Sequence, residues 1–337
     1  MSEYITNKQQ ITSLADYLKT KTGASSIVYP EAFVSCISSI QMGEYDLDDV
    51  ITRAKFTTMS STASIIQSYA YAYFIALSSI SFPNCVRISE CAFIGCSSLT
   101  EASFPVCSYI GESAFESCYS ISTASFPVCS SIGQFAFRRC SALVSISFPQ
   151  CKIIGGNAFT LCSNLKEAIF PVCSKIDGDA FWSCYALSRV SFPMCSSWGA
   201  YPFEYCSSLQ SVSFSLISTI TRQAFYNCWS LSFADIPNCT VVSSQAFGSC
   251  RALQIVSFPK CSNIHISAFM SCSVLSSVYL MSTAIVSLLN SNAFSYTPMQ
   301  YSSYLGTFGS IYVPSSLVAQ YKVASNWSYY SNRIVGI

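Results

Sequence analysis

Cysteine is the residue of this sequence whose number and spacing could do chemistry. There are 19 in 337 residues, enough for a disulfide framework, a thiolate metal site or a redox centre. The spacing argues against all three. Cys85, Cys96, Cys107, Cys118, Cys129, Cys140, Cys151, Cys162, Cys173, Cys184, Cys195 and Cys206 follow one another at a step of 11 residues. After a gap at Ile217 the step resumes at Cys228 and runs to Cys272. A structural zinc site draws on close pairs such as Cys-x-x-Cys, and the sequence has none. Cysteines 22 residues apart would stack about 4.8 Å from one another in a repeating fold. That separation is within disulfide range, but Cβ vectors running parallel along the stack suit a bridge poorly. The expectation is two columns of reduced cysteine filling a core as small hydrophobes. Cys36 and Cys91 fall off these columns, and Cys91 is expected to be partly exposed.

Other chemistry has few candidates. His265 is the single histidine; it stands where other repeats place glycine and has no partner for a general-base scheme, so it is expected in a solvated turn. Asp177 and Asp179 fall in turns with no evident cleft. There is no P-loop, no dinucleotide fingerprint and no His-Glu-x-x-His. No catalytic residue, metal ligand or cofactor is expected, and the chain is not expected to be an enzyme. A net charge of +1 with 10% charged residues carries no electrostatic footprint for nucleic acid. Mean hydropathy is high, at +0.41, yet no apolar run approaches the roughly 18 residues of a membrane span. The longest candidate, Ile65 to Ile80, is interrupted by Gln67, Ser68, Ser78 and Ser79, so membrane insertion is not expected. Residues near the amino terminus include Glu3 and Lys8 and do not read as a secretory signal peptide.

Surface recognition is the remaining option, and aromatic residues point to it. Trp182, Tyr185, Tyr205, Tyr226 and Trp229 cluster around the cysteines of the middle repeats, with Trp198 and Tyr201 in the preceding turns. The equivalent positions of earlier repeats hold Glu116, Ser117, Arg138 and Ser141, with Tyr119 a lone aromatic. Positions that vary so freely are not expected in a core. Grouped exposed aromatics suggest a contact site, and aromatic faces suit sugar rings. The alternative is lateral packing of one aromatic on the next. A second surface, the outward strand positions, is mostly hydroxyl, with larger Phe233, Ile255 and Tyr279 toward the carboxyl-terminal half.

The elements that position these residues follow from one period. Proline recurs at Pro83, Pro105, Pro127, Pro149, Pro171, Pro193, Pro237 and Pro259, and an Ala-Phe pair ends at Phe93, Phe115, Phe137, Phe159, Phe181, Phe225, Phe247 and Phe269. Both step by 22, and self-similarity at that period signals a solenoid. In Leu99 to Cys107 the alternation of a strand turns Leu99, Ala102 and Phe104 inward and Glu101 and Ser103 outward. Pro105 ends the strand, Ile110-Gly111 turns the chain, and Ala114 to Cys118 is read as one helical or 3₁₀ turn.

The unit Ile-Gly-x-x-Ala-Phe-x-x-Cys-x-x-Leu-x-x-x-x-Phe-Pro closely resembles the BspA-like leucine-rich repeats, over roughly residues 59 to 337. The segment Tyr312 to Tyr330 is similar to the closing segment of many gut-bacterial members. Leu14 to Gly23 with Pro30 to Ile40 looks like a short helical module of surface and prophage tail-associated proteins. The expected fold is an α/β solenoid, a right-handed leucine-rich-repeat-like coil of about ten 22-residue repeats between two caps. A helical amino-terminal module takes residues 1–58. The solenoid takes 59–313, with a degenerate first coil at 59–80, regular coils over 81–278 and a degenerate last coil at 279–313. A helical cap takes 314–337, in which Ser315 or Ser316 caps a helix through Tyr321, while Trp327, Tyr329 and Tyr330 seal the end. Ile311 to Pro314 is read as the last strand. The resemblance implies non-catalytic recognition or adhesion, binding a protein or glycan through the solenoid surface, at a cell surface, secreted or on a virion. The alternative is a structural spacer or assembly subunit, for example of a phage tail, without its own ligand.

Overall fold

The computed structural model describes residues 58–300 and 308–337. The helical module expected over residues 1–58 lies, except for Thr58, outside the described residues, as does Cys36.

The described chain is a parallel β-solenoid of about twelve turns of some 22 residues, with few helices. The turn count exceeds the expected ten because strands Ser310–Val313 and Ile334–Gly336 extend the stack at the carboxyl-terminal end, while Thr58–Ser60 belongs to the expected first coil. Each regular coil has three sides. The first is a three-residue strand such as Glu101–Ser103, whose middle residue is buried and whose flanking residues are exposed. It pairs in parallel with Thr123–Ser125 at an offset of one repeat. The second is a two-residue strand where the sequence suggested only a turn: Tyr109–Ile110 pairs with Arg87–Ile88 and with Ser131–Ile132. The inward Ile is buried and its neighbour is more exposed.

The third side corrects the reading of Ala114 to Cys118 as one helical or 3₁₀ turn: it keeps single-turn bonds, Glu116 N–H to the Ser113 carbonyl and Cys118 N–H to the Phe115 carbonyl, without forming a helix. It is an irregular turn segment with two residues in the left-handed region, Ser113 at φ 50° and Ser117 at φ 59°. The pair recurs in the following coils, at Phe135 and Arg139, Asn157 and Leu161, and Asp179 and Ser183. Each left-handed residue redirects the chain so that alternate N–H groups run along the stack: Ser113, Phe115 and Ser117 donate to the carbonyls of Gln134, Ala136 and Arg138 at 2.7–2.8 Å. A true helix would bond within itself and leave the next coil unbonded. Only in the last coil does the segment become a 3₁₀ helix, Ser291–Phe294.

The core is built of columns. The Ala-Phe rings stack from Phe93 to Phe294, for example 5.1 Å between Phe115 and Phe137 and 5.2 Å between Phe269 and Phe294. The Phe-Pro rings form a second column and meet the first edge-on, as Phe115 meets Phe126 at 6.0 Å. Tyr71 starts the first column, stacked on Phe93 at 5.2 Å. At the far end the column closes on Tyr330, edge-on to Phe294 at 5.5 Å. Trp327 and Tyr321 are buried beside it, the indole donating to the Val286 carbonyl and the Tyr321 hydroxyl accepting from the Val286 amide. Tyr329, expected in that seal, is exposed. The helix Val318–Val323 has no serine cap; a 3₁₀ turn, Ser315–Leu317, precedes it. Ser310–Val313 is not the last strand, because Ile334–Gly336 pairs with it in parallel.

Candidate functional site

All 18 cysteines among the described residues are reduced thiols outside any disulfide, and all are buried. Cys91 is among them, contrary to expectation, at a left-handed φ of 53°. The columns are hydrogen-bond donors as well as filler. Cys107 donates to the Tyr109 carbonyl at 3.2 Å and Cys129 to the Ser131 carbonyl at 3.3 Å, each two residues on. The second column reaches back one coil: Cys118 donates to the Phe93 carbonyl and Cys140 to the Phe115 carbonyl, both at 3.1 Å. Burial pushes most of these thiols up, Cys129 to about 11 and Cys173 to about 12, which keeps them neutral and poorly nucleophilic; Cys85 goes the other way, lowered to about 7 by its hydrogen bond with Cys107. No group of three metal-binding side chains occurs among the described residues. His265 is half-buried in a turn, its amide bonded to the Val242 carbonyl.

The gap at Ile217 has a structural partner. Ile217 cannot donate to the Thr219 carbonyl as a cysteine would. The Trp198 indole of the preceding coil donates to it instead, at 2.8 Å. Trp198 occupies the inward Ile column and is buried, packed edge-on to Phe214 at 4.6 Å. It therefore leaves the surface cluster in which the sequence placed it.

The five candidate aromatics sit on the turn side of three successive coils, and the structure divides them. Trp182, Tyr205 and Tyr226 are half-buried and packed edge-to-face, 5.8 Å from Trp182 to Tyr205 and 6.1 Å from Tyr205 to Tyr226. Tyr185 and Trp229 stand out from this row, 46% and 47% exposed. Tyr205 takes the left-handed position of its coil, φ 62°, which turns its ring toward its neighbours along the stack. Gly248 leaves room for the Tyr226 ring, since a Cβ there would come 2.7 Å from it. The Trp229 indole donates to Asn227 Oδ1 at 3.2 Å, and the Arg251 guanidinium lies 5.2 Å from its ring centroid.

Glu204 is a site residue that the sequence reading missed. It is 7% exposed and sits beneath the aromatic row. Its carboxylate accepts from Trp182 Nε1 and from Gln223 Nε2, both at 3.2 Å. Burial raises its pKa to about 7, Asp179 adds to the rise, and the Trp182 hydrogen bond and Arg222 oppose it. The same column holds Glu116, bound by Arg138 through Nε at 2.9 Å. The only mark of Glu204 in the sequence is an acidic residue next to Phe203, flanked one repeat away on either side by Trp182 and Tyr226. Ser183 Oγ, also under the row, is buried without a hydrogen-bond partner among the described residues.

No helix among the described residues is long and apolar enough to cross a membrane. Among solved structures the chain is similar to a leucine-rich repeat protein of Bacteroides ovatus, at 20% identity over 84% of each chain and a TM-score of 0.47. It is also similar to a leucine rich cell surface protein of Faecalibacterium prausnitzii, at 20% identity over 83% of this chain and 82% of that one, TM-score 0.44. No curated protein matches the chain. The profile of the BspA type leucine rich repeat region matches residues 64–188, 130–254 and 196–313. With the columns of Phe, Leu and Cys that these matches share, the chain belongs to the BspA type leucine-rich-repeat family.

Proposed function

We propose that this protein is a non-catalytic recognition protein that holds a ligand against the turn side of its solenoid, between Trp182 and Trp229. Leucine-rich-repeat solenoids are generally surface or protein-interaction scaffolds, and they are generally non-catalytic. Display at a cell surface, typical of BspA-like proteins, fits that role. The observation that carries the reading is the pairing of a packed aromatic row with two aromatics beside it that keep nearly half their surface in solvent. Exposed Trp and Tyr on a preorganised support lose little entropy on binding, and such residues dominate contact energies.

The test is capture of ligands from arrays of host proteins and glycans by the full chain and by a Tyr185→Ser, Trp229→Ser variant. Retention by the wild type, cut at least tenfold in the variant while the melting temperature holds, supports the reading. Unchanged retention, or none on any array, favours the spacer role. One observation also favours that role: Trp182, Tyr205 and Tyr226 already use their faces and edges on each other.

A further inference from the structure

Tyr185 and Trp229 occupy the same position of two coils separated by one intervening coil, whose equivalent residue is Ser207. Coil spacing places the two rings about 10 Å apart along the stack, with a small residue between them. The Ser207 hydroxyl is tied to the Tyr185 carbonyl at 3.3 Å, so the gap is floored by hydrogen-bonded structure. Trp229 is fixed on one side by Asn227 and Arg251. Arg251 continues the same position into the next coil, and no ion pair among the described residues engages it.

Resting on the recognition reading above, we infer that the ligand is a linear oligosaccharide lying along the solenoid axis, with one pyranose ring on Tyr185, another on Trp229, and the intervening sugar over Ser207. Three features select this chemistry over a protein partner. The two exposed aromatics are separated from each other by the coil that carries Ser207, whereas a protein hot spot is a contiguous cluster that excludes water. A pyranose presents a C–H face to the negative face of an aromatic ring and hydroxyls at its edge, and here Ser207, Asn227 and Arg251 border the rings. The two platforms stand two coils apart on one line along the stack, as alternate rings of a linear polymer do.

The probe is an immobilised panel of linear oligosaccharides, two to eight sugars long, drawn from host mucins and plant cell walls. The full chain is expected to retain at least one series, with chains long enough to reach both rings held at least tenfold better than disaccharides. Tyr185→Ala and Trp229→Ala should each remove that length dependence. Tyr119→Ala, at the same position three coils earlier, should leave retention intact, and circular dichroism melts of all variants report folding. Retention of no glycan, or retention indifferent to both substitutions, overturns the inference. A protein ligand lost on Trp229→Ala would overturn the glycan while sustaining recognition; loss of both glycan and protein capture by the wild type would sink both readings.

Discussion

Glu204 shows what one residue decides at this surface. A carboxyl removed from water resists ionisation, and burial holds this one at about 7, far above the usual 4.5. The sign follows from proton counts. Between about 4.5 and 7 the folded chain binds the proton that the unfolded chain releases, so stability from this residue falls as pH rises through that window. Above it the charged form persists, held by Trp182 and Gln223. Tryptophan fluorescence should therefore titrate near neutrality, as the acceptor of the Trp182 indole changes state. Glu204→Gln should remove that step and be at least as stable as the wild type at pH 8. An unaltered titration in the variant would show that another group is responsible. This residue was hard to read from sequence, because an isolated Glu in a variable column gives no sign of its burial.

Coils are the elements, and one junction between them differs from the rest. Short strands from Ile65–Ile66 to Ser197–Trp198 form one seven-stranded sheet, and those from Thr219–Ile220 to Ser287–Leu288 form another of four. The ladder of two-residue strands stops only between them; the three-residue strands Arg189–Ser191 and Ser211–Ser213 are not paired with each other there either, a break that this side of the coil also shows elsewhere, as between Ser145–Ser147 and Glu167–Ile169. Side chains and the turn side bridge it: Trp198 to the Thr219 carbonyl, Thr221 Oγ1 to the Gly199 carbonyl at 2.7 Å, and Tyr205 N–H to the Tyr226 carbonyl at 2.8 Å. The Phe-Pro rings stand farther apart at this junction, 6.3 Å from Phe192 to Phe214 against 5.3 Å from Phe170 to Phe192, and the indole N–H replaces the thiol that Ile217 lacks. Trp198→Ile alone should cost about 2–4 kcal/mol, from lost volume and an orphaned carbonyl. Adding Ile217→Cys should return about 1–2 kcal/mol of that, a coupling that denaturant melts of the four proteins can measure. Strictly additive losses would contradict the exchange of donors. Sequence showed both departures from the repeat, at Trp198 and Ile217, but not that they compensate, since the two positions meet only when coils stack.

At the scale of the molecule, a stack in which each coil touches only its neighbours opens from its ends. The thiols record this. Buried thiols such as Cys239 and Cys261, both pushed up to about 12, should resist alkylation at pH 8 in the native protein, whereas Cys85, lowered to about 7 in an outer coil, should react first. In denaturant nearly all 19 should react, and a count near one or two would contradict the reduced columns. Mass spectrometry of partially labelled protein should find modification first in the terminal coils and last around Cys140 to Cys184. Uniform labelling would mean that the stack opens as one unit.

Much of this was written in the 22-residue period. A repeat that places Leu, Phe, Cys and Ile on the inside of every coil leaves a single way to bury them all, so the parallel stack, the two cysteine columns and the inward strand positions follow from sequence. The first coil is legible too, because Tyr71 stands one period before Phe93. What only the tertiary structure decided lies where the period is silent. Left-handed residues turned an expected helical segment into a third bonded side, because backbone direction at Ser113 or Tyr205 is imposed by the neighbouring coil and by no property of those residue types. Stacking likewise divided the aromatics, sending Trp198 into the core, locking Trp182, Tyr205 and Tyr226 together, and leaving Tyr185 and Trp229 to the solvent.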